Sequence, residues 1–76
     1  MLDANRIGAA IQACREEKGL SQEVVSGLAG IGRTHLSAIE RGQRKPTLET
    51  IFKIAEALDI PPHMLVHRIE DSLSQS

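Results

Sequence analysis

The stretch that decides the fold is GLSQEVVSGLAGIGRTHLSAIERG, residues 19–42. It contains two apolar patterns with helical spacing, and only about four residues, AGIG, separate them. So short a connection favours two helices that meet at a steep angle. The basic sequence QRK follows directly after the second pattern. A short helix beside positive charge indicates a binding surface, and the rest of the chain limits what that surface binds.

Length and composition restrict the class of protein. A chain of 76 residues, 41% hydrophobic and 25% charged, is typical of one small folded domain. The single cysteine, Cys14, excludes an internal disulfide and cannot form a zinc site by itself, so we expect a buried thiol. No apolar run approaches the ~20 residues that span a bilayer, and no signal peptide opens the chain. We therefore expect a cytoplasmic protein with no membrane partner.

The charges are unevenly distributed although the net charge is only −1. Residues 33–45 carry a net charge of +3, whereas residues 54–76 carry −3. Such polarity allows one face to meet a polyanion while the other end of the molecule stays acidic. A solvated loop with scattered arginines is the alternative interpretation of the basic block.

Helical spacing recurs along the chain, and no alternating strand pattern is present. The pattern predicts helices over about residues 4–18, 21–29 and 32–41, a fourth after Pro46, and a fifth from the two prolines at 61 and 62. Asp3 or Asn5, Ser21 and Thr47 are the expected N-caps, and Gly30 the left-handed residue that ends the second helix. We expect a compact all-α domain over residues 1–71 and a frayed tail over 72–76.

The spacing also predicts which side chains face the core. In chain order, the expected inward residues are Ile7, Ile11, Cys14, Val24, Val25, Leu28, Leu36, Ile39, Leu48, Ile51, Phe52, Ile54, Ala55, Leu58, Leu65, Ile69 and Leu73.

The third helix has a polar outer face. With Leu36 and Ile39 facing inward, a helical wheel places five residues opposite them: Arg33, Thr34, Ser37, Ala38 and Arg41. None is large and apolar, so this face is a poor anchor for a protein partner. Arginine, hydroxyl and methyl groups are suited to the base edges of a DNA major groove. A plain solvated helix face is the alternative.

The same residues resemble a known family. GLSQ at the start of the second helix, Gly30–Ile31 in the turn and LSAIERG closing the third helix look like the helix-turn-helix of Cro/repressor (XRE-type) regulators. The resemblance continues through PTLETIFKIAEALDI and covers about residues 5–66, which implies a lambda-repressor-like fold. RTHLSAIER also looks close to the controller proteins of restriction–modification systems.

The resemblance implies roles for individual residues. Gln22 falls at a phosphate-contacting position, and Arg41, Arg44 and Lys45 fall at further backbone contacts. Base-contacting positions fall on Arg33, Thr34, Ser37 and Ala38. An arginine late in the first helix pairs with a glutamate near the end of the third in such proteins, which here implies an Arg15–Glu40 ion pair. The chain departs from the usual pattern at Ser26, Gly27 and Gly32, which predicts a less rigid motif.

The expected function is sequence-specific binding of double-stranded DNA by a transcriptional regulator. Specificity usually needs two copies on a palindromic operator, so we expect a homodimer formed through the fifth helix, with Met64, Leu65 and Ile69 as candidate contacts. The alternative is that these apolar residues only cover the core. The alternative function is a protein-interaction module of the same fold, such as an antitoxin. No catalytic pairing is evident, His63 and His67 lack further metal ligands, and we expect no enzyme activity, cofactor, metal or small-molecule ligand.

Overall fold

The computed structural model describes residues 2–75, which contain five α-helices joined by short connections. They are α1 (Ala4–Glu17), α2 (Gln22–Ala29), α3 (Arg33–Glu40), α4 (Leu48–Ala57) and α5 (Pro62–Ser74). Helix α1 packs against α3 and α5, α2 packs against α3 and α4, and α4 packs against α5. No strand occurs among the described residues, so the predicted all-α class is confirmed.

Local sequence sets the helix starts. Asp3 accepts a hydrogen bond from the backbone N–H of Asn5 at 2.9 Å, so Asp3 is the N-cap of α1. Ser21 caps α2 and Thr47 caps α4 in the same way, each bonding an N–H three residues on at 3.1 Å. Gly32 has no side chain with which to cap α3. Because these bonds join residues close in sequence, the sequence predicted them well.

The turn between α2 and α3 consists of three residues, 30–32. Gly30 has φ +70°, a left-handed conformation that costs glycine nothing because it lacks a Cβ. The N–H of Ile31 then donates to the carbonyl of Ser26 at 3.0 Å, which closes the end of α2. The predicted sharp break is therefore present at the predicted residue.

The core is apolar and involves α1 to α5. Its largest fully buried side chains are Ile11, Val25, Leu36, Ile39, Ile54, Leu58 and Leu65. Cys14 is buried as predicted, and desolvation raises the pKa of its thiol above the ordinary value. Of the residues in the described part of the chain, none lies in a helix long and apolar enough to cross a bilayer.

Four apolar residues predicted to be inside are exposed. Val24 and Leu28 are 45% and 68% exposed, because α2 buries the adjacent stripe of Val25 and Ala29 against its neighbours. Leu48 and Phe52 are 70% and 51% exposed. Both lie to one side of the stripe that α4 buries, Ile51, Ile54, Ala55 and Leu58. The predictions for these four residues are wrong, since helical periodicity does not tell which of two adjoining stripes meets the core.

Helix α5 continues to Ser74, into the segment 72–76 for which we expect fraying; Ser76 lies outside the described residues. Arg6 contacts this end of the helix: its Nη1 donates to the carbonyl of Ser72 at 3.0 Å and also to the carbonyl of Gln75. Ser72 Oγ in turn donates to the carbonyl of Arg6 at 3.0 Å.

Candidate nucleic-acid interface

Helix α3 presents a polar face beside the start of α2. Arg33, Thr34 and Arg41 are exposed and Ser37 is half-buried. These four residues and Gln22 line one shallow concavity of about 270 Å³. The short turn at Gly30 brings the N-terminus of α2 alongside α3 and so places Gln22 with the others. We refer to these five residues as the α3 concavity.

Ala38 does not lie on this face. It is only 9% exposed, so the helical-wheel position on the outside is wrong. The N–H of Gln43 donates to the Ala38 carbonyl at 2.8 Å, which closes the C-terminal end of α3. A helical wheel treats α3 as an isolated cylinder and cannot show how the surrounding structure buries a residue.

The basic segment after α3 is solvent-exposed. Arg41, Arg44 and Lys45 are all exposed, and Arg41 Nε donates to the Ser37 carbonyl at 3.3 Å. Within residues 2–75, neither Arg44 nor Lys45 forms a salt bridge. The two cations stand directly after the C-terminus of α3, where they are free to meet an anion.

Arg15 and Glu40 form a buried ion pair that joins α1 to the end of α3. Arg15 Nε lies 2.7 Å from Glu40 Oε2, and Arg15 Nη2 lies 2.9 Å from Oε1. The side chains are only 10% and 1% exposed, and Arg15 Nη1 also donates to the Leu20 carbonyl at 2.8 Å. The hydrogen bond to Glu40 raises the pKa of the Arg15 guanidinium.

Two features of the site were not found from the sequence. Gln22 Nε2 donates to Glu40 Oε1 at 2.9 Å, which connects the ion pair to the α3 concavity. Gly8 is buried where α1 meets α3, and a Cβ built on it would overlap the Ile39 carbonyl oxygen and lie 2.7 Å from that of Glu40. A glycine inside a helical pattern was the available signal for this close approach.

The two histidines of α5 lie on the surface. His63 and His67 are exposed, and His67 Nε2 lies 3.5 Å from Asp71 Oδ2. Across residues 2–75, no group of three or more His, Cys, Asp or Glu side chains is placed to hold a metal ion.

The apolar residues of α5 differ in their exposure. Leu65 is fully buried, so its prediction as a contact for a second subunit is wrong. Ile69 is 9% exposed and Met64 is 48% exposed. A groove of about 370 Å³ lies between the start of α4 and the outer side of α5, and Ile69 is one of the residues that line it. We call it the α4–α5 groove; its exposed or half-buried apolar residues are Leu2, Pro46, Leu48, Val66 and Leu73.

Comparison with known proteins identifies a consistent class of relatives. The profile of the family described as Helix-turn-helix matches residues 11–65. An uncharacterized HTH-type transcriptional regulator, y4dJ of Sinorhizobium fredii, is 41% identical over 54 residues, which cover 71% of this chain and 70% of that protein. The HTH-type transcriptional regulator SinR of Bacillus subtilis is 36% identical over 61 residues, and the match covers 79% of this chain and 55% of SinR.

Solved structures give the same result. The restriction-modification controller protein C.AhdI from Aeromonas hydrophila superposes with a TM-score of 0.79 at 42% sequence identity, over 86% of this chain and 98% of that one. The controller protein C.Esp1396I superposes over the whole of this chain with a TM-score of 0.87 at 22% sequence identity. This superposition shows a shared fold. The resemblance to controller proteins noted in the sequence is therefore confirmed.

Proposed function

Because this chain belongs to the XRE-type helix-turn-helix family of DNA-binding transcriptional regulators, we propose that it acts in the cytoplasm as a homodimer on a palindromic operator, with α3 in the major groove. The observation that carries the proposal is the α3 concavity. It combines arginine and hydroxyl groups of α3 with the amide group of Gln22 from α2.

The chemistry of the concavity supports base reading by α3. Arg33 and Thr34 are exposed in the first turn of the helix, the part that meets base edges in this motif. Arginine can donate two hydrogen bonds to guanine, and threonine can donate or accept. Ser37 lies one turn further on. We therefore assign base contacts to Arg33, Thr34 and Ser37, and leave out the buried Ala38.

The surrounding groups support phosphate contacts. Arg41, Arg44 and Lys45 are exposed beyond the end of α3, and Gln22 opens α2, where the helix dipole favours an anion. Contacts of this kind fix the position of a protein on the duplex without reading its sequence. Residues that contact bases, flanked by residues that contact phosphates, form a surface suited to binding an operator.

The α4–α5 groove is the proposed contact between two copies. One recognition helix reads only a few base pairs, and half-sites about 34 Å apart require two domains. Leu48 projects from the rim of the groove with 70% of its surface exposed, so a second copy can bury it reciprocally in a two-fold contact. The groove adjoins the segment that carries Arg44 and Lys45, so this pairing brings both basic segments to one stretch of DNA.

We expect a random pool of double-stranded DNA, selected at about 150 mM salt, to yield an enriched palindrome. Replacing Arg33 by alanine should relax one base position of each half-site, at a cost of about 1–3 kcal/mol, because a base-edge contact is lost. The matched substitution Arg44→Ala should weaken all sequences equally and reduce the slope of log affinity against log salt by about 1. Both variants are measured by competition binding on single-base operator variants.

Two results would count against direct readout by α3. If Arg33→Ala kept the same enriched sequence at every position, Arg33 would not read a base. If the wild-type protein enriched no motif, the better function would be a protein-interaction module such as an antitoxin, tested by stabilisation on adding its protein partner.

The dimer contact has its own prediction. Leu48→Glu places a charge in the proposed interface, and we expect the dimer dissociation constant to rise at least about 30-fold in sedimentation equilibrium. Leu28→Glu is the matched control, since Leu28 is 68% exposed on α2, away from the groove. An equal effect of both substitutions, or a wild-type monomer at every concentration, would disprove this interface.

A further inference from the structure

Glu40 is held as a fixed acceptor beside the proposed DNA surface. Arg15 donates to both of its carboxylate oxygens, at 2.7 and 2.9 Å, and only 1% of the glutamate side chain is exposed. A bidentate arginine restricts both the position and the plane of a carboxylate. Glu40 therefore offers a rigid oxygen atom, Oε1, to its remaining neighbour.

That neighbour is the amide of Gln22. An amide can present either its nitrogen or its oxygen to a partner, and the partner decides which. A carboxylate paired with arginine only accepts hydrogen bonds, so Nε2 of Gln22 must face Glu40, as the 2.9 Å contact shows. This fixes the amide in one of its two orientations. The second N–H of Gln22 Nε2 and the oxygen Oε1 of Gln22 therefore also point in fixed directions.

The orientation matters because Gln22 lines the α3 concavity with Arg33, Thr34, Ser37 and Arg41. A phosphate accepts hydrogen bonds, so it is attracted by the free N–H of the amide and repelled by the amide oxygen. If the amide could rotate freely, part of the protein population would present the amide oxygen to the phosphate. Fixing the amide before DNA binds removes the free-energy cost of orienting it.

We propose that Glu40 is a positioning residue for DNA binding: with Arg15 it orients the amide of Gln22 so that the second Nε2 proton is directed to a backbone phosphate. This inference rests on the proposed DNA-binding function. It goes further by giving the ion pair a role in affinity that is distinct from holding α1 against α3.

A double-mutant cycle separates the two roles. Gln22→Met keeps the length of the side chain and removes its donors; we expect affinity for the selected operator to fall about tenfold or more. Glu40→Gln keeps the shape and removes the charge, and we expect a similar loss. If Glu40 acts through Gln22, adding Glu40→Gln to Gln22→Met should cost less than about twofold more. A purely structural Glu40 would instead give losses that multiply.

Two controls sharpen the cycle. Gln12→Met is the matched substitution, since Gln12 Nε2 also donates to a glutamate, Glu16 Oε2 at 3.2 Å, but lies outside the concavity; it should leave affinity unchanged. Gln22 is uncharged, so Gln22→Met should leave the salt dependence of binding unaltered, whereas Lys45→Ala should lower its slope by about 1. Binding is measured well below the melting temperature of each variant.

A measurement on the wild-type protein covers the case in which Glu40→Gln does not fold. In NMR spectra of the free protein, one side-chain Nε2 proton of Gln22 should exchange slowly with water, and the second should become protected when the operator binds. Two rapidly exchanging protons in the free protein, or multiplicative losses in the cycle, would overturn the positioning role while leaving DNA binding intact. A wild-type protein that selects no DNA would overturn both proposals.

Discussion

Replacing Gly8 by alanine should destabilise the protein by about 3 kcal/mol, at the upper end of the range for overpacked sites. The added Cβ would overlap the carbonyl oxygen of Ile39 and lie within 2.9 Å of the Glu40 carbonyl group. These obstructing atoms are backbone atoms, so no side-chain rotation relieves the overlap, and α1 and α3 must separate. The better helix propensity of alanine recovers only about 1 kcal/mol.

Thermal and urea unfolding measure this effect, with an expected fall in melting temperature of about 12 °C or more. Gly27→Ala is the matched control: it is also inside a helix, and a Cβ there would meet no atom within 4 Å. It should raise stability by about 0.5–1 kcal/mol, because alanine is the better helix former. If both substitutions stabilised the protein, the close approach of α1 to α3 would be wrong.

Replacing Arg15 by methionine should cost about 3–5 kcal/mol of unfolding free energy. The substitution leaves the Glu40 carboxylate buried, at 1% exposure, with Gln22 as its remaining side-chain donor. It also removes the donor to the Leu20 carbonyl. An uncompensated buried charge is costly because the interior solvates it far less well than water.

Arg68→Met provides the matched control for this experiment. Arg68 pairs with Glu17 in an equally short contact, 2.7 Å, but the two side chains are 39% and 60% exposed. An exposed pair contributes about 0–1 kcal/mol. Urea unfolding of both variants should therefore separate them clearly. If the two substitutions lowered the free energy of unfolding by similar amounts, burial would not strengthen the Arg15–Glu40 pair. Adding Glu40→Met to Arg15→Met should recover part of the lost stability, because it removes the unpaired buried charge.

Much of the fold could be predicted because the deciding interactions are local. Ser21 and Thr47 cap helices through bonds to residues three positions on, and Gly30 adopts its left-handed conformation within the turn itself. The polar face of α3 was also recognisable, since Leu36 and Ile39 had to be buried and Arg33 and Thr34 then faced outward. These assignments need no knowledge of the neighbouring helices.

The errors share a different cause. Leu28 and Leu48 fit a helical stripe as well as the residues that are buried, and only the position of the packing partner selects one stripe over the other. Ala38 is 9% exposed although a wheel drawn for α3 alone places it outward, because burial depends on the surrounding structure. Leu65 was a candidate contact for a second subunit, but α5 packs against α1 and α4 and buries it completely.

The sequence by itself determined the helices, their caps, the sharp turn and the polar face of α3, since each follows from residues within about one helical turn of one another. The tertiary structure alone decided that Gly8 lets α1 approach α3, that α4 leaves Leu48 exposed, and that Glu40 bonds Gln22 as well as Arg15. Those contacts join distant segments, and their geometry depends on how whole helices pack.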